Sequence, residues 1–367
     1  MAMEAGAALS TRTDPGQSSL QHARLRRAET QLEHARQVTE PVLRDAVQSL
    51  PEALRLMAGY HFGWWDHLGV AGNAPSGKAL RPALVLAAAT IASGIGSEAA
   101  VGQGIAAAVA RAAAAVELVH NFTLLHDDVM DADETRRGRR TVWHVWGIPD
   151  AILTGDALQA LSVTVLADTA HPAAPAMITR LATCVAELCQ GQHEDNEFET
   201  RLDVDLDQCV RVARRKTGAL LGCSCALGAI CAHAGPGVVE AMDRFGRELG
   251  VAFQIVDDML GIWGDPAVTR KPAGSDLVRR KKTGLVIAAL SSDTHPGREL
   301  RQLYRQTCPL DPAAVARAAT LIEQAGGKQW AHHNATRYVQ LALDALPDQA
   351  TAGDLLALAD LATQRER

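Results

Sequence analysis

The stretch HDDVMDADETRRG, residues 126–138, places five acidic residues within nine positions and follows them with Arg136 and Arg137. If the helical pattern approaching it runs through residue 131, Asp127 and Asp131 stand i, i+4 on one face, with Asp128 beside them. Such a stack is destabilising unless something positive lies against it. A solvated helix end would make the carboxylates harmless. A core helix opening on a cavity would make them a cradle for Mg²⁺, which is held by a few carboxylates together with substrate phosphates. The apolar approach AAAAVELVHNFTLL argues for the cavity.

A second acid cluster repeats the pattern. GVAFQIVDDMLGIWGD runs another apolar helix into Asp257 and Asp258, with Asp265 seven residues beyond Asp258 and so near the same face. Two such helices facing across a bundle are a common way to assemble a metal site. Candidate anion-binding cations accompany them: Lys78 and Arg81 in SGKALRP, Arg136 and Arg137 in RRGRRT, Lys216 beside Thr217 in ARRKTGALLG, Lys271 in TRKPAGSD, and Lys281 in RRKKTG. Each alone reads more readily as a surface cation. Two carboxylate clusters combined with several separate cations suit a substrate carrying diphosphate.

The elements that must position these groups read as helical nearly throughout. Of the 367 residues, 47% are hydrophobic, much of that alanine and leucine, and 4% are aromatic, a balance favouring helix. Periodicity predicts helices near 29–48, 51–60, 79–93, 98–127, 149–168, 173–200, 206–232, 236–263, 281–291, 296–307, 312–324, 328–345 and 352–364. The expected fold is all-α, one large helical bundle around a central cavity, because motifs spread from residue 77 to 283 must converge. Residues 1–28 are expected to form a poorly ordered tail and 29–367 the domain.

Composition excludes several classes. A net charge of −6 with scattered basic residues does not suggest a nucleic-acid partner. Seven cysteines without a CxxC pair suit reduced thiols in a cytoplasmic protein. Cys223 and Cys225 lack a histidine or second pair at zinc spacing. The stretch GIAAAVARAAAAVELV, interrupted by Arg111, is expected to be too short for a membrane span, and no apolar segment near Met1 suggests secretion.

GKALRP, LVHNFTLLHDDVMD, RRGRRT, GDAL, GQHED, KTGALL, FQIVDDMLGIWGD, KPAGSDL and RKKTG occur in this order. In that series the chain, over about residues 30–365, resembles the trans-isoprenyl diphosphate synthases of the polyprenyl synthetase family. DDMLGIWGDP followed by KPAGSDLVRRKK is similar to the actinobacterial synthases that make geranylgeranyl diphosphate. The resemblance implies an isoprenoid-synthase bundle, a homodimer and three Mg²⁺ ions. It also implies isopentenyl diphosphate and a C5 to C15 allylic diphosphate as substrates, condensed head to tail.

Carried over by position, Asp127, Asp128 and Asp131 would hold two Mg²⁺ with help from Asp195, and Asp257 with Asp258 would hold the third. Arg136, Lys216, Lys271 and Lys281 would surround the allylic diphosphate. Lys78, Arg81, His120 and Arg137 would bind isopentenyl diphosphate, although His120 also reads as a core histidine. Thr217 and Gln254 would flank the allylic cation. Gly261 stands where the family's second cluster has its third aspartate, which weakens Asp265 as a ligand. Val119, Phe122 and Thr123 would line the growing chain, with Phe122 as floor and a C20 product favoured over C15 or longer ones. A class I terpene cyclase and a non-catalytic synthase subunit are the alternatives from other classes.

Overall fold

The computed structural model describes residues 15–72, 77–94, 103–201, 203–265, 274–306, 310–347 and 352–363. Among the described residues, ten helices carry the chain to the second acid cluster: α1 Pro15–Gln48, α2 Glu52–Phe62, α3 Leu80–Ala92, α4 Gln103–Met130, α5 Val142–Trp146, α6 Ile148–Ala167, α7 Ala174–Thr200, α8 Leu206–Ala213, α9 Ala219–Cys231 and α10 Pro236–Trp263. A helical turn at Ser275–Val278 and five further helices ending at Thr363 complete the bundle. Between α4 and α5 lies a hairpin of two-residue strands, Thr135–Arg136 and Arg139–Arg140. Its loop residues Arg137 and Gly138 have φ of 53° and 78°, which a tight hairpin of primed turn type demands.

The core helices are apolar because they are enclosed. Every residue of α9 except Ile230 is buried, and Ala112 to Ala115 of α4 are fully buried. Small residues let these helices approach closely. A Cβ on Gly228 would meet Ala89 N of α3 at 3.0 Å, and one on Gly246 of α10 would meet Gly222 Cα of α9 at 2.6 Å. Gly155, from the GDAL segment, similarly lets α6 close on the His126 ring of α4. Each leucine fully buried in this core contributes on the order of 2 kcal/mol. One hydrophobic cluster joins α1–α7, α9 and the first half of α10 to Gly353–Thr363, and another gathers the second half of α10 against the helices that follow. The long helix α10 therefore links both.

Two expectations change. The tail expected over 1–28 is helical from Pro15 in α1, because Ala28 is buried and Arg24 and Arg27 pair with Asp360 and Asp354; residues 1–14 lie outside the described residues. The apolar stretch expected to be too short for a membrane is part of a longer helix. Gly104–Met130 and Ile148–Ala167 are both long and apolar enough to cross one, by length and composition alone. A core helix passes the same test, and 67% of the first apolar window is buried inside the protein.

Candidate active site

Asp127 and Asp131 occupy the last turn of α4 and its C-terminal end, and Asp257 and Asp258 the last two turns of α10. The C-terminal end of a helix carries the negative pole of its dipole, so carboxylates there are unfavourable without compensating cations. All four line one cavity of about 660 Å³, together with Asp195 of α7. Lys78, Arg81, His120, Thr123, Arg136, Lys216, Thr217, Gln254 and Lys281 line it as well. The expected convergence of distant segments is present.

Asp195 and Asp258 accept hydrogen bonds from neighbours in the cavity wall. Lys216 Nζ donates to Asp195 Oδ2 at 2.7 Å, Gln254 Nε2 to Asp258 Oδ1 at 2.8 Å, and Thr217 Oγ1 to Gln254 Oε1 at 2.6 Å. Burial raises the Asp127 carboxyl above its usual range, with Lys216 acting against the shift and Asp131 adding to it. Burial raises Asp258 further, with Asp276, Asp257 and Asp195 adding to it against the Gln254 hydrogen bond. Burial opposes the charged form of Lys216, but Asp195, Asp127 and Asp131 outweigh it and raise the ammonium's pKa. His120 is lowered well below the usual histidine value by burial and then by Arg81 and Arg137, so it stays neutral near pH 7.

Lys216 and Thr217 share the cavity because the chain is wound as a π-helix over Arg214–Gly218, between α8 and α9. Such a bulge re-aims side chains that an uninterrupted α-helix would send elsewhere. Gly191 of α7 makes room for it, since a Cβ there would lie 2.6 Å from Lys216 N.

Several expected site residues lie elsewhere. Asp128 does not line the cavity; it is buried, and its Oδ1 accepts from Arg136 Nε at 2.7 Å. Successive helical residues point about 100° apart, so Asp128 cannot share the face of Asp127 and Asp131. Burial pushes its carboxyl up to about 6 despite Arg136. Its place in the structure is that of an anchor for Arg136. Arg137 lies behind the cavity, its guanidinium beside Gly77, with burial lowering and Glu117 raising its pKa. Phe122 and Val119 do not line the cavity: both are buried, and Phe122 meets His126 edge-on at 5.4 Å. Thr123 lines it, with Leu124, Leu188 and Phe253. Asp265 is exposed and away from the lining, while Lys271 lies outside the described residues.

Other functional residues were not foreseen. Asp276, from the segment after α10, lines the cavity above Gly261; a Cβ on Gly261 would meet Asp276 Cγ at 2.8 Å. The space beside the missing third aspartate is thus filled by a carboxylate from a different segment. The DL of KPAGSDL was the available signal. Gln192 also lines the cavity, as does Lys282, which the RRKKTG segment offers with Lys281 as a candidate cation; Lys282 Nζ ties its loop to Phe198 O at 2.6 Å. Glu117, buried, has its carboxyl raised by burial and lowered by Arg81 and Arg137, so it sits among the cations behind the cavity.

The donor set is entirely oxygen, which fits Mg²⁺ and not a thiophilic metal. Among the described residues no three acidic, histidine or cysteine side chains stand ready as a closed metal cluster.

The polyprenyl synthetase family model matches residues 69–322. The chain is 48% identical to geranylgeranyl diphosphate synthase of Mycobacterium tuberculosis, over 91% of this chain and 93% of that protein. It is 41% identical to a (2E,6E)-farnesyl diphosphate synthase of the same species, over 87% and 88%. A polyprenyl synthetase from Streptomyces coelicolor A3(2) superimposes with a TM-score of 0.82 at 38% identity, covering 91% of this chain and 98% of that one.

Proposed function

The chain belongs to the polyprenyl synthetase family, and from that premise we propose that it condenses isopentenyl diphosphate with an allylic diphosphate to make geranylgeranyl diphosphate. The observation that carries this reading is the meeting of both aspartate clusters with Lys78, Arg81 and His120 around one cavity. A terpene cyclase would have no use for the second, metal-free basic group. A non-catalytic subunit would have no need of both acid clusters.

Asp127 and Asp131 with Asp195 face one side of the allylic diphosphate, and Asp257 with Asp258 the other. Three Mg²⁺ ions held there would neutralise the diphosphate and stabilise the charge it gains as the C1–oxygen bond breaks. Arg136, Lys216 and Lys281 add positive charge to the same leaving group, and Lys271 is assigned there by its sequence position. The Thr217 hydroxyl and the Gln254 amide oxygen face the carbon that becomes cationic. Lys78, Arg81 and neutral His120 hold isopentenyl diphosphate so that its double bond can attack C1, with Arg137 supporting from behind. The departed diphosphate takes the proton, so the chain need not supply a base. Apolar Leu124, Leu188 and Phe253 keep water from the cation.

The protein is assigned to the cytoplasm, as one synthase domain from residue 29 onward with the start of α1 packed against it. A homodimer is assigned as well, by the family resemblance. The test is incubation with Mg²⁺, isopentenyl diphosphate and each allylic diphosphate from C5 to C15, with products identified by mass. Geranylgeraniol after dephosphorylation is the expected product; a cyclic hydrocarbon with isopentenyl diphosphate untouched would overturn the reading.

Thr123, not Phe122, sets the width available to the growing chain. Thr123→Phe is expected to move most of the product from C20 to C15, while Phe122→Ala leaves the distribution unchanged. A C20 product from Thr123→Phe would remove Thr123 from that role.

A further inference from the structure

Arg279 follows the turn Ser275–Val278 and reaches the end of α4. Its Nη1 lies 3.0 Å from Asp131 Oδ1, its Nη2 lies 2.7 Å from Asp133 Oδ1, and Nη2 also donates to the Asp131 carbonyl. The α10 side of the bundle is thereby tied to the first acid cluster. The tie engages one of the carboxylates that line the cavity. Asp276, Lys281 and Lys282, which line it too, belong to the same short segment.

We propose that Arg279 is a positioning residue that holds the Asp131 carboxylate until a diphosphate arrives, and so couples metal binding to substrate binding. The inference rests on the reading of Asp131 as a metal ligand. A guanidinium and a divalent cation on one carboxylate repel each other, so a metal arriving alone must loosen Arg279 from Asp131. A diphosphate changes this balance because its oxygens accept the planar guanidinium fork as well as a carboxylate does. Arg279 then exchanges Asp131 for phosphate while Asp133 keeps the segment in place. Metal and diphosphate each bind more tightly when the other is present, by the same factor.

The experiment is Mn²⁺ titration followed by electron paramagnetic resonance, with and without inorganic pyrophosphate, on the full chain and its Arg279→Gln and Arg279→Lys variants. Arg279→Gln is expected to bind Mn²⁺ about tenfold more tightly than the parent without pyrophosphate, and to lose most of that advantage with it. Arg279→Lys, which keeps the charge and loses the fork, is expected to fall between them. Thermal midpoints taken alongside establish that the variants are folded. Equal or weaker Mn²⁺ affinity in Arg279→Gln, with the parent still binding Mn²⁺ and pyrophosphate together, overturns the inference and leaves the metal site standing. Absence of Mn²⁺ binding to the parent even with pyrophosphate overturns both.

Discussion

Asp127→Ala is expected to lower kcat/KM for isopentenyl diphosphate consumption by about 10³-fold while leaving the protein at least as stable at pH 7 to 8 as its parent. The first half follows from position. Asp127 lines the cavity between Lys216 and Asp131, where its charge would anchor the ions that stabilise the leaving diphosphate, and an alanine there offers no ligand. Asn keeps the shape without the charge, so Asp127→Asn should lose nearly as much.

The second half follows from the direction of the pKa shift. A carboxyl raised by burial is harder to ionise in the folded chain than in the unfolded one. The stability associated with it is therefore present below the unfolded value and falls as pH rises through the folded value. At pH 7 to 8 the ligand-free protein bears that cost, and alanine removes it. Loss of activity with retained or increased thermal midpoint is the signature of a residue kept for chemistry. A loss of less than tenfold, or a marked drop in midpoint, would make Asp127 a structural residue.

How much could be read from the sequence depended on the physics behind each residue. The helices were legible because the apolar periodicity is long and the breakers are strong; 206–232 and 236–263 match α8 through α9 and α10 closely. The site was legible where spacing fixes direction, as for Asp127 with Asp131. The same geometry spoke against Asp128 and Phe122. One residue on, or five back, is a rotation of more than 90° from Asp127, whereas Thr123, four back, stacks beneath it. The family series implies roles for Asp128 and Phe122, while in the structure both are buried outside the cavity lining.

The rest depended on contacts that no local pattern encodes. Nothing in ARRKTGALLG announces a π-helix, yet Lys216 and Thr217, which both line the cavity, are wound in one. Arg279 and Asp276 act across gaps of well over a hundred residues and of fifteen residues respectively, toward Asp131 and Gly261. Arg139 illustrates the converse: it belongs to the arginine cluster RRGRRT, but donates to the carbonyls of Tyr60 and Trp65 and stacks 4.0 Å from the Tyr60 ring. Residue type alone could not separate it from Arg136.

Gly250→Val is expected to cost upwards of about 3 kcal/mol, the high end for overpacking, because the clash is with backbone. A Cβ at Gly250 would lie 2.8 Å from Gly218 N, and nearer still to Gly218 Cα. Neither atom can rotate away as a side chain would. Gly250→Ala ought to gain up to about 1 kcal/mol from helix propensity alone, so its expected net loss isolates the clash. Urea denaturation measures both variants, and an unchanged or raised midpoint for Gly250→Ala would show that α10 can shift without penalty. The consequence reaches the chemistry because Gly218 ends the π-helix that carries Lys216 and Thr217. Pushing α10 away from it moves those two side chains relative to Asp258 and Gln254, which ride on α10 itself. Activity per folded molecule should therefore fall in Gly250→Ala as well, since a close backbone contact between two glycines sets the distance between the halves of the site.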